Sequence, residues 1–249
     1  MDNNLFKSIT VTRYENGVSS ILEEKLINDQ FLEVHLNGTF IEKILCVNDK
    51  IEELAIGNYF QCTECSPEEI IKTFVLNENV ANIEKITKPS TICDYRRNCG
   101  CMINDDFIQV LQTNPIQLDY SIIPTIFEHF NNSSHLFKET AGVHGAGLYD
   151  ESGNCEFFAI DLARHNCITK VTGYIIKNKW YGFVNSKIIM LSSRVNAELI
   201  KMCHRAGIKV VLSRGAPSFM AYREAVRLDI TLVSFVRDGR FTVIHERCQ

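Results

Sequence analysis

Along the chain, apolar residues fall first at strand spacing and later alternate between strand and helix spacing. Residues 31–36 and 39–45 are rich in strand formers and flank Asn37-Gly38, a two-residue turn signal, so they predict a hairpin over Phe31–Val47. Glu52 to Phe60 carries Leu54, Ala55 and Tyr59 at helical spacing, and Ser66-Pro67-Glu68-Glu69 reads as a helix start or turn. Strand-like runs follow at Ile70–Leu76 and Ile83–Ile86. Periodicity then lapses over Asp94–Asp106, which reads as an exposed loop because nothing in it could be buried at regular spacing.

From about Gln117 the pattern changes. A short helix is expected over Ser121–Phe130 with Pro124 in its first turn. Strands at Val143–Tyr149 and Cys155–Asp161 are separated by the turn formers of Asp150–Asn154. Helices at His165–Ile176, Val195–Arg205 and Ser218–Leu228 then alternate with strands at Lys187–Leu191, Ile208–Leu212 and Thr231–Phe235, and Phe241–Ile244 pairs as a last strand after Asp238-Gly239. Strands alternating with helices make an α/β layered domain. The expected division is a smaller β-rich N-terminal subdomain, residues 1–116, ending in a cysteine loop at 93–106, followed by an α/β domain at 117–249.

Composition narrows the function classes. A net charge of −4 over 249 residues argues against a general nucleic-acid binder. Residues 1–7 lack the apolar core of a signal peptide and no later stretch is long enough to span a bilayer, so a cytoplasmic location and no membrane association are expected. Ten cysteines without a secretory signal read as free thiols, metal ligands or catalytic groups, and those inside apolar runs, such as Cys46, as buried small hydrophobes.

The loop is where cysteine chemistry concentrates. Cys99 and Cys101 flank Gly100, with Arg96 and Arg97 just before them. Neighbouring arginines stabilise a thiolate, the form that attacks sulfur or holds metal. The same residues admit a reactive or sulfur-carrying thiol, half of a zinc site completed by Cys62 and Cys65, or incidental surface cysteines.

The charges of the second half gather at the carboxyl ends of its strands. Arg164-His165-Asn166, Ser192-Ser193-Arg194, Ser213-Arg214-Gly215 and Arg237-Asp238-Gly239-Arg240 all leave strands, and three of these loops open helices. Ligands of α/β sheets bind outside strand carboxyl ends. Five arginines there, together with helix N-termini, favour phosphate or pyrophosphate. His144 lies between Gly142 and Gly145, where the backbone is open to close approach. A zinc deaminase would need a glutamate two residues after such a histidine; Ala146 stands there, so hydrolytic deamination is disfavoured.

Taken in order, Thr140-Ala141-Gly142-Val143-His144, Arg164-His165-Asn166 with Lys170, Ser193-Arg194 with Glu198, Ala216-Pro217-Ser218 and Phe235-Val236-Arg237-Asp238-Gly239-Arg240-Phe241 resemble the motifs of the FdhD family. These are formate dehydrogenase accessory proteins that act as sulfur carriers. Glu53-Leu54-Ala55-Ile56-Gly57 resembles the family's segment before its cysteine loop. The resemblance implies a cytoplasmic homodimer with a cytidine-deaminase-like α/β domain. It implies a sulfurtransferase that takes sulfane sulfur from a cysteine desulfurase and passes it to the molybdenum cofactor, a bis(molybdopterin guanine dinucleotide), of formate dehydrogenase, with GDP as a possible mimic. Cys99 then corresponds to the persulfide-forming cysteine, with Cys101 assisting. Phe235 to Arg240 corresponds to the cofactor-binding segment, joined by Arg194, Arg214, His144, Arg164, His165 and Asn166. The alternative is a non-catalytic cofactor chaperone whose thiols hold structural zinc. The family's usual Cys-Gly-x-Cys-Gly is here Cys99-Gly100-Cys101-Met102, and Ile160-Asp161-Leu162-Ala163 replaces its Glu-Asp-Val-Gly.

Overall fold

The computed structural model describes residues 5–62, 66–84, 118–133, 135–178 and 187–247. It opens on a hairpin of β1 (Phe6–Glu15) and β2 (Val18–Ile27), paired from Phe6↔Ile27 to Glu15↔Val18. Its turn is Asn16-Gly17, both left-handed, as a two-residue hairpin loop requires. This hairpin lies outside the expectations above. Its positions are mostly exposed on both faces, so no apolar alternation announces it.

The hairpin expected over Phe31–Val47 is present as β3 (Asp29–Leu36) and β4 (Thr39–Val47), turning at Asn37-Gly38. Leu32, Val34, Ile44 and Cys46 bury one face of it. Helix α1 (Ile51–Cys62) and helix α2 (Pro67–Thr73) follow, then β5 (Phe74–Asn77) and β6 (Val80–Ile83). The strand expected from Ile70 is therefore corrected. Ser66 and Glu69 form a reciprocal capping box that starts α2, so Ile70 is helical and the strand begins only at Phe74. Likewise, Ile83 ends a strand instead of starting one, and Ile86 lies outside the described residues. The four strands pair in the order β4-β3-β6-β5.

After a 3-10 turn at Tyr120–Ile122 come α3 (Ile123–Ser133), α4 (His135–Thr140), β7 (His144–Tyr149), β8 (Cys155–Asp161) and α5 (Arg164–Lys177). The chain then alternates through β9 (Ile188–Leu191), α6 (Ala197–Arg205), β10 (Val210–Ser213), α7 (Phe219–Arg227) and β11 (Thr231–Arg237), and closes on β12 (Arg240–His245). These strands form a six-stranded sheet in the order β12-β11-β10-β9-β7-β8. Its centre is parallel, β9 to β10 to β11, while β7 runs antiparallel to β9. The fold is α/β, as the alternation of periods indicated.

One sheet face packs on α3 through Ile126, Phe127 and Phe130 against Met190, Leu212 and Val233. The other face is covered by α5, α6 and α7, and its core runs on without a break through α1 into the four-stranded sheet. Helices α1 and α5 cross backbone to backbone. A side chain at Gly57 would collide with the Thr169 carbonyl, and one at Gly173 with that of Glu53. Arg205 of α6 caps the end of α1 by donating to the carbonyls of Gln61 (2.6 Å) and Phe60 (2.9 Å).

Candidate anion-binding site

Because β7 opposes β9, the amino end of β7 lies beside the carboxyl ends of β9, β10 and β11. That sheet edge opens into a cavity of about 370 Å³, within the range of small-ligand pockets. Phe137 and Ala141–Gly145 form one wall, and Ile160, Ser192, Arg214, Gly215 and Arg237 complete it. Among the described residues that line it, none is acidic.

Two loops of the wall are zipped together. The amide of Arg214 donates to the Leu191 carbonyl (3.0 Å), Val195 donates to Ala216 (3.1 Å) and Ser218 donates back to Val195 (2.9 Å). The Ser213 hydroxyl adds a bond to the Ser193 carbonyl at 2.7 Å. A Cβ at Gly215 would sit 2.6 Å from the Arg194 amide nitrogen and the Ser193 carbonyl oxygen, so only glycine allows these loops to touch. The ladder also removes Val195 from the helix predicted for it; α6 starts at Ala197, capped by the Asn196 side chain.

Two guanidinium groups line the cavity. Arg214 lies over the Phe127 ring, 5.8 Å from its centroid, and neither Arg214 nor Arg237 pairs with a carboxylate among the described residues. Arg237 stands at the end of β11, directly opposite Arg240 across the Asp238-Gly239 turn. Just before it, Phe235 occupies the left-handed region at φ 57° within a bulge, with its side chain 40% exposed, while Val236 is buried. Strain of this kind in a non-glycine residue is held by the surrounding structure and concentrates at functional sites.

His144 begins β7, and its Nδ1 lies 3.5 Å from the Ser192 hydroxyl, which also accepts the Gly145 amide at 2.9 Å. Burial, then the charges of Arg164 and His165, hold the imidazole below its ordinary pKa against the opposing pull of Asp161. At neutral pH it is uncharged. The Nε of Arg164 is sealed from solvent without a hydrogen-bond partner. His165 faces Glu198 at 2.9 Å, an ion-pair distance, although the pair lacks hydrogen-bond geometry.

Other candidates turn inward. Asn166 is buried, and its amide donates to the Leu45 carbonyl and to Asp161 Oδ1, both at 2.9 Å. Lys170 pairs with Asp161 at 2.8 Å, both side chains wholly buried, and also donates to the Ile160 carbonyl at 2.8 Å. This hub ties β8, α5 and β4 together directly behind the cavity wall. The structure thus brings His144, Arg214 and Arg237 to the cavity, sets Arg164 and His165 within electrostatic reach of His144, and leaves Arg194, Phe235, Asp238, Gly239 and Arg240 off its lining. Ser192, named above only within its strand-end loop, and Phe137, not named at all, also line it. Ser192 carries a signal, since it directly follows a strand; Phe137 lies on α4, which the periodicity did not reveal.

Cys99 and Cys101 lie outside the described residues, as does Cys65, and the side chain of Cys62 does too. The thiols that are described are poor nucleophiles. Burial pushes Cys46 and Cys203 up to about 12 and raises Cys155 and Cys167 as well. Cys46 is fully buried, as its apolar setting indicated.

Among the described residues, this α/β sheet thus carries at its strand carboxyl ends a cavity lined by arginines and by no acid, a charge distribution that suits an anionic ligand. Residues 27–248 match the FdhD/NarQ family, and the chain belongs to it. Its relatives include the sulfur carrier protein FdhD of Bacillus subtilis, 29% identical over 94% of this chain and 93% of that one. The sulfur carrier protein FdhD of Staphylococcus haemolyticus is 26% identical over 98% and 96%. The fold is shared with a protein from Desulfotalea psychrophila described as a formate dehydrogenase accessory protein, with a TM-score of 0.81 over 97% of both chains at 21% identity.

Proposed function

We propose that this protein is a cytoplasmic, homodimeric sulfurtransferase of formate dehydrogenase maturation. It accepts sulfane sulfur from a cysteine desulfurase and delivers it to the bis(molybdopterin guanine dinucleotide) cofactor held at the sheet edge. The observation that carries the reading is the cavity itself: among the described residues, two arginines without carboxylate partners, a neutral histidine and no acid in the lining, in a member of the FdhD/NarQ family. At about 370 Å³ it suits one nucleotide moiety, not the whole cofactor.

The residues fit such a group. Arg214 and Arg237 supply forked, permanently charged donors for phosphate oxygens. Arg164, with its Nε unpaired, reinforces the positive field behind them. The bound cofactor would supply the molybdenum that receives the sulfur. In the relay, the Cys99 thiolate attacks the outer sulfur of the desulfurase persulfide, the desulfurase thiolate leaves, and Cys99 holds the new persulfide, with Cys101 auxiliary. The raised thiols at Cys46, Cys155, Cys167 and Cys203 leave this chemistry to cysteines outside the described core.

Calorimetry with GDP tests the cavity. Wild-type protein should bind GDP, and Arg214→Ala and Arg237→Ala should each weaken it; no binding to the wild type would overturn the assignment.

A further inference from the structure

Within the cavity, His144 and Ser192 form a pair that the anion-binding reading does not by itself require. The Ser192 oxygen accepts the Gly145 amide at 2.9 Å, and the Ser192 amide donates to the Gly145 carbonyl at 3.0 Å. The serine is therefore fixed in place on the end of β9. Its hydroxyl proton has one acceptor among the described residues, the Nδ1 of His144 at 3.5 Å. A hydroxyl that donates to Nδ1 requires that nitrogen to be bare, which puts the ring proton on Nε2. Nε2 has no partner among the described residues and is not sealed from solvent, while the residue lines the cavity.

We propose that Ser192 is a positioning residue that locks His144 in its Nε2–H tautomer, so that a neutral imidazole presents an N–H donor to an anionic ligand in the cavity. The proposal rests on the anion-binding reading above and adds how one donor is aimed and how it responds to pH.

The charged neighbours set that response. Arg164 and His165 from α5 oppose protonation of His144, Asp161 at the end of β8 favours it, Arg214 just after β10 and Arg237 at the end of β11 add positive charge, and Glu198 of α6 is taken up by His165. Without a ligand the lowered pKa favours the neutral imidazole at pH 7 and above. A bound anion favours the imidazolium and raises its pKa, so binding takes up a proton at His144 and tightens as pH falls through the bound-state pKa towards the lower ligand-free one.

The test has two parts. Nitrogen NMR of the ligand-free protein, labelled at histidine, should show His144 protonated at Nε2 and bare at Nδ1, and Ser192→Ala should mix the tautomers. GDP titrations should then show Ser192→Ala ~3- to 10-fold weaker than wild type at pH 8, the range for one misdirected hydrogen bond. The deficit should shrink at pH 6, since lower pH favours the imidazolium, which carries a proton on both nitrogens. His144→Gln should keep most of the affinity at pH 8 and lose the extra pH dependence that wild type shows. A proton on Nδ1 in the wild type, or a Ser192→Ala deficit unchanged between the two pH values, would overturn the proposal. If GDP binds to no variant, the anion-binding reading fails while the tautomer measurement still decides the role of Ser192.

Discussion

Two cavities share Ile160 of β8 in their linings, and their chemistry differs. The larger, about 500 Å³, is lined by Leu5, Phe6, Lys25, Lys50 and Phe158 among others. Each of its lysines is answered: Lys25 by Glu139 at 2.7 Å and Lys50 by Asp49 at 2.9 Å. The smaller, about 370 Å³, holds Arg214 and Arg237 with no carboxylate among the described residues that line it. Size would favour the first as a binding site; unanswered charge favours the second. A cation already neutralised within the protein offers an anion little, whereas an unpaired guanidinium gains its partner only on binding.

The largest effect should come from the hub behind the shared wall. Lys170→Met strands Asp161 in a fully buried position and should cost ~3–5 kcal/mol of stability by chemical denaturation. Arg164 and Arg214 would keep their charges, so a variant that still folds should retain GDP binding. A loss of binding larger than the loss of stability would make Lys170 part of the site and blur the distinction drawn here.

Next come the cavity arginines. Arg214→Ala and Arg237→Ala should each weaken GDP binding by ~1–3 kcal/mol, and Arg240→Ala, which is off the lining, by less. Lys25→Ala in the other cavity should leave GDP binding unchanged and cost stability only ~0–1 kcal/mol, as for an exposed pair. Equal losses from Lys25→Ala and Arg214→Ala would break the comparison between the two cavities.

A pH dependence away from both cavities completes the set. Burial, then the charges of Lys209 and Arg227, hold His204 down to about 4 from its ordinary 6.5, and Lys209 lies 2.9 Å from its Nδ1. Between those values the unfolded chain binds a proton that the native protein refuses, so stability falls as pH drops from 6.5 towards about 4 and not further on this account. His204→Asn should flatten that slope in denaturation curves taken at pH 7 and pH 4.5.

Much of this was legible in the chain. Asn37-Gly38 between two strand-forming runs gave away its hairpin, and the arginines after predicted strands gathered at one sheet edge because parallel strands align their carboxyl ends. What stayed hidden has physical causes. Strands β1 and β2 bury little on either face, so the Asn16-Gly17 turn had no periodic flanks to mark it. At Ile70 the run looked strand-like, yet the Ser66–Glu69 capping box decided for helix. Arg164, His165 and Asn166 look alike in a motif, but only the packing of α5 on β4 and β8 shows that Asn166 spends its amide on Leu45 and Asp161. Periodicity reports which face is covered, not which polar group finds its partner inside.

The central claim is that this chain carries sulfur, and intact-mass spectrometry after incubation with a cysteine desulfurase and cysteine tests it most directly. The expected result is a gain of one sulfur atom, mapped by peptide analysis to Cys99, absent in Cys99→Ala and still measurable in Cys101→Ala. Loading mapped to Cys101 in the Cys99→Ala protein would reverse the two roles. No sulfur on either cysteine, together with stoichiometric zinc, would contradict the account and make this protein a metal-stabilised chaperone.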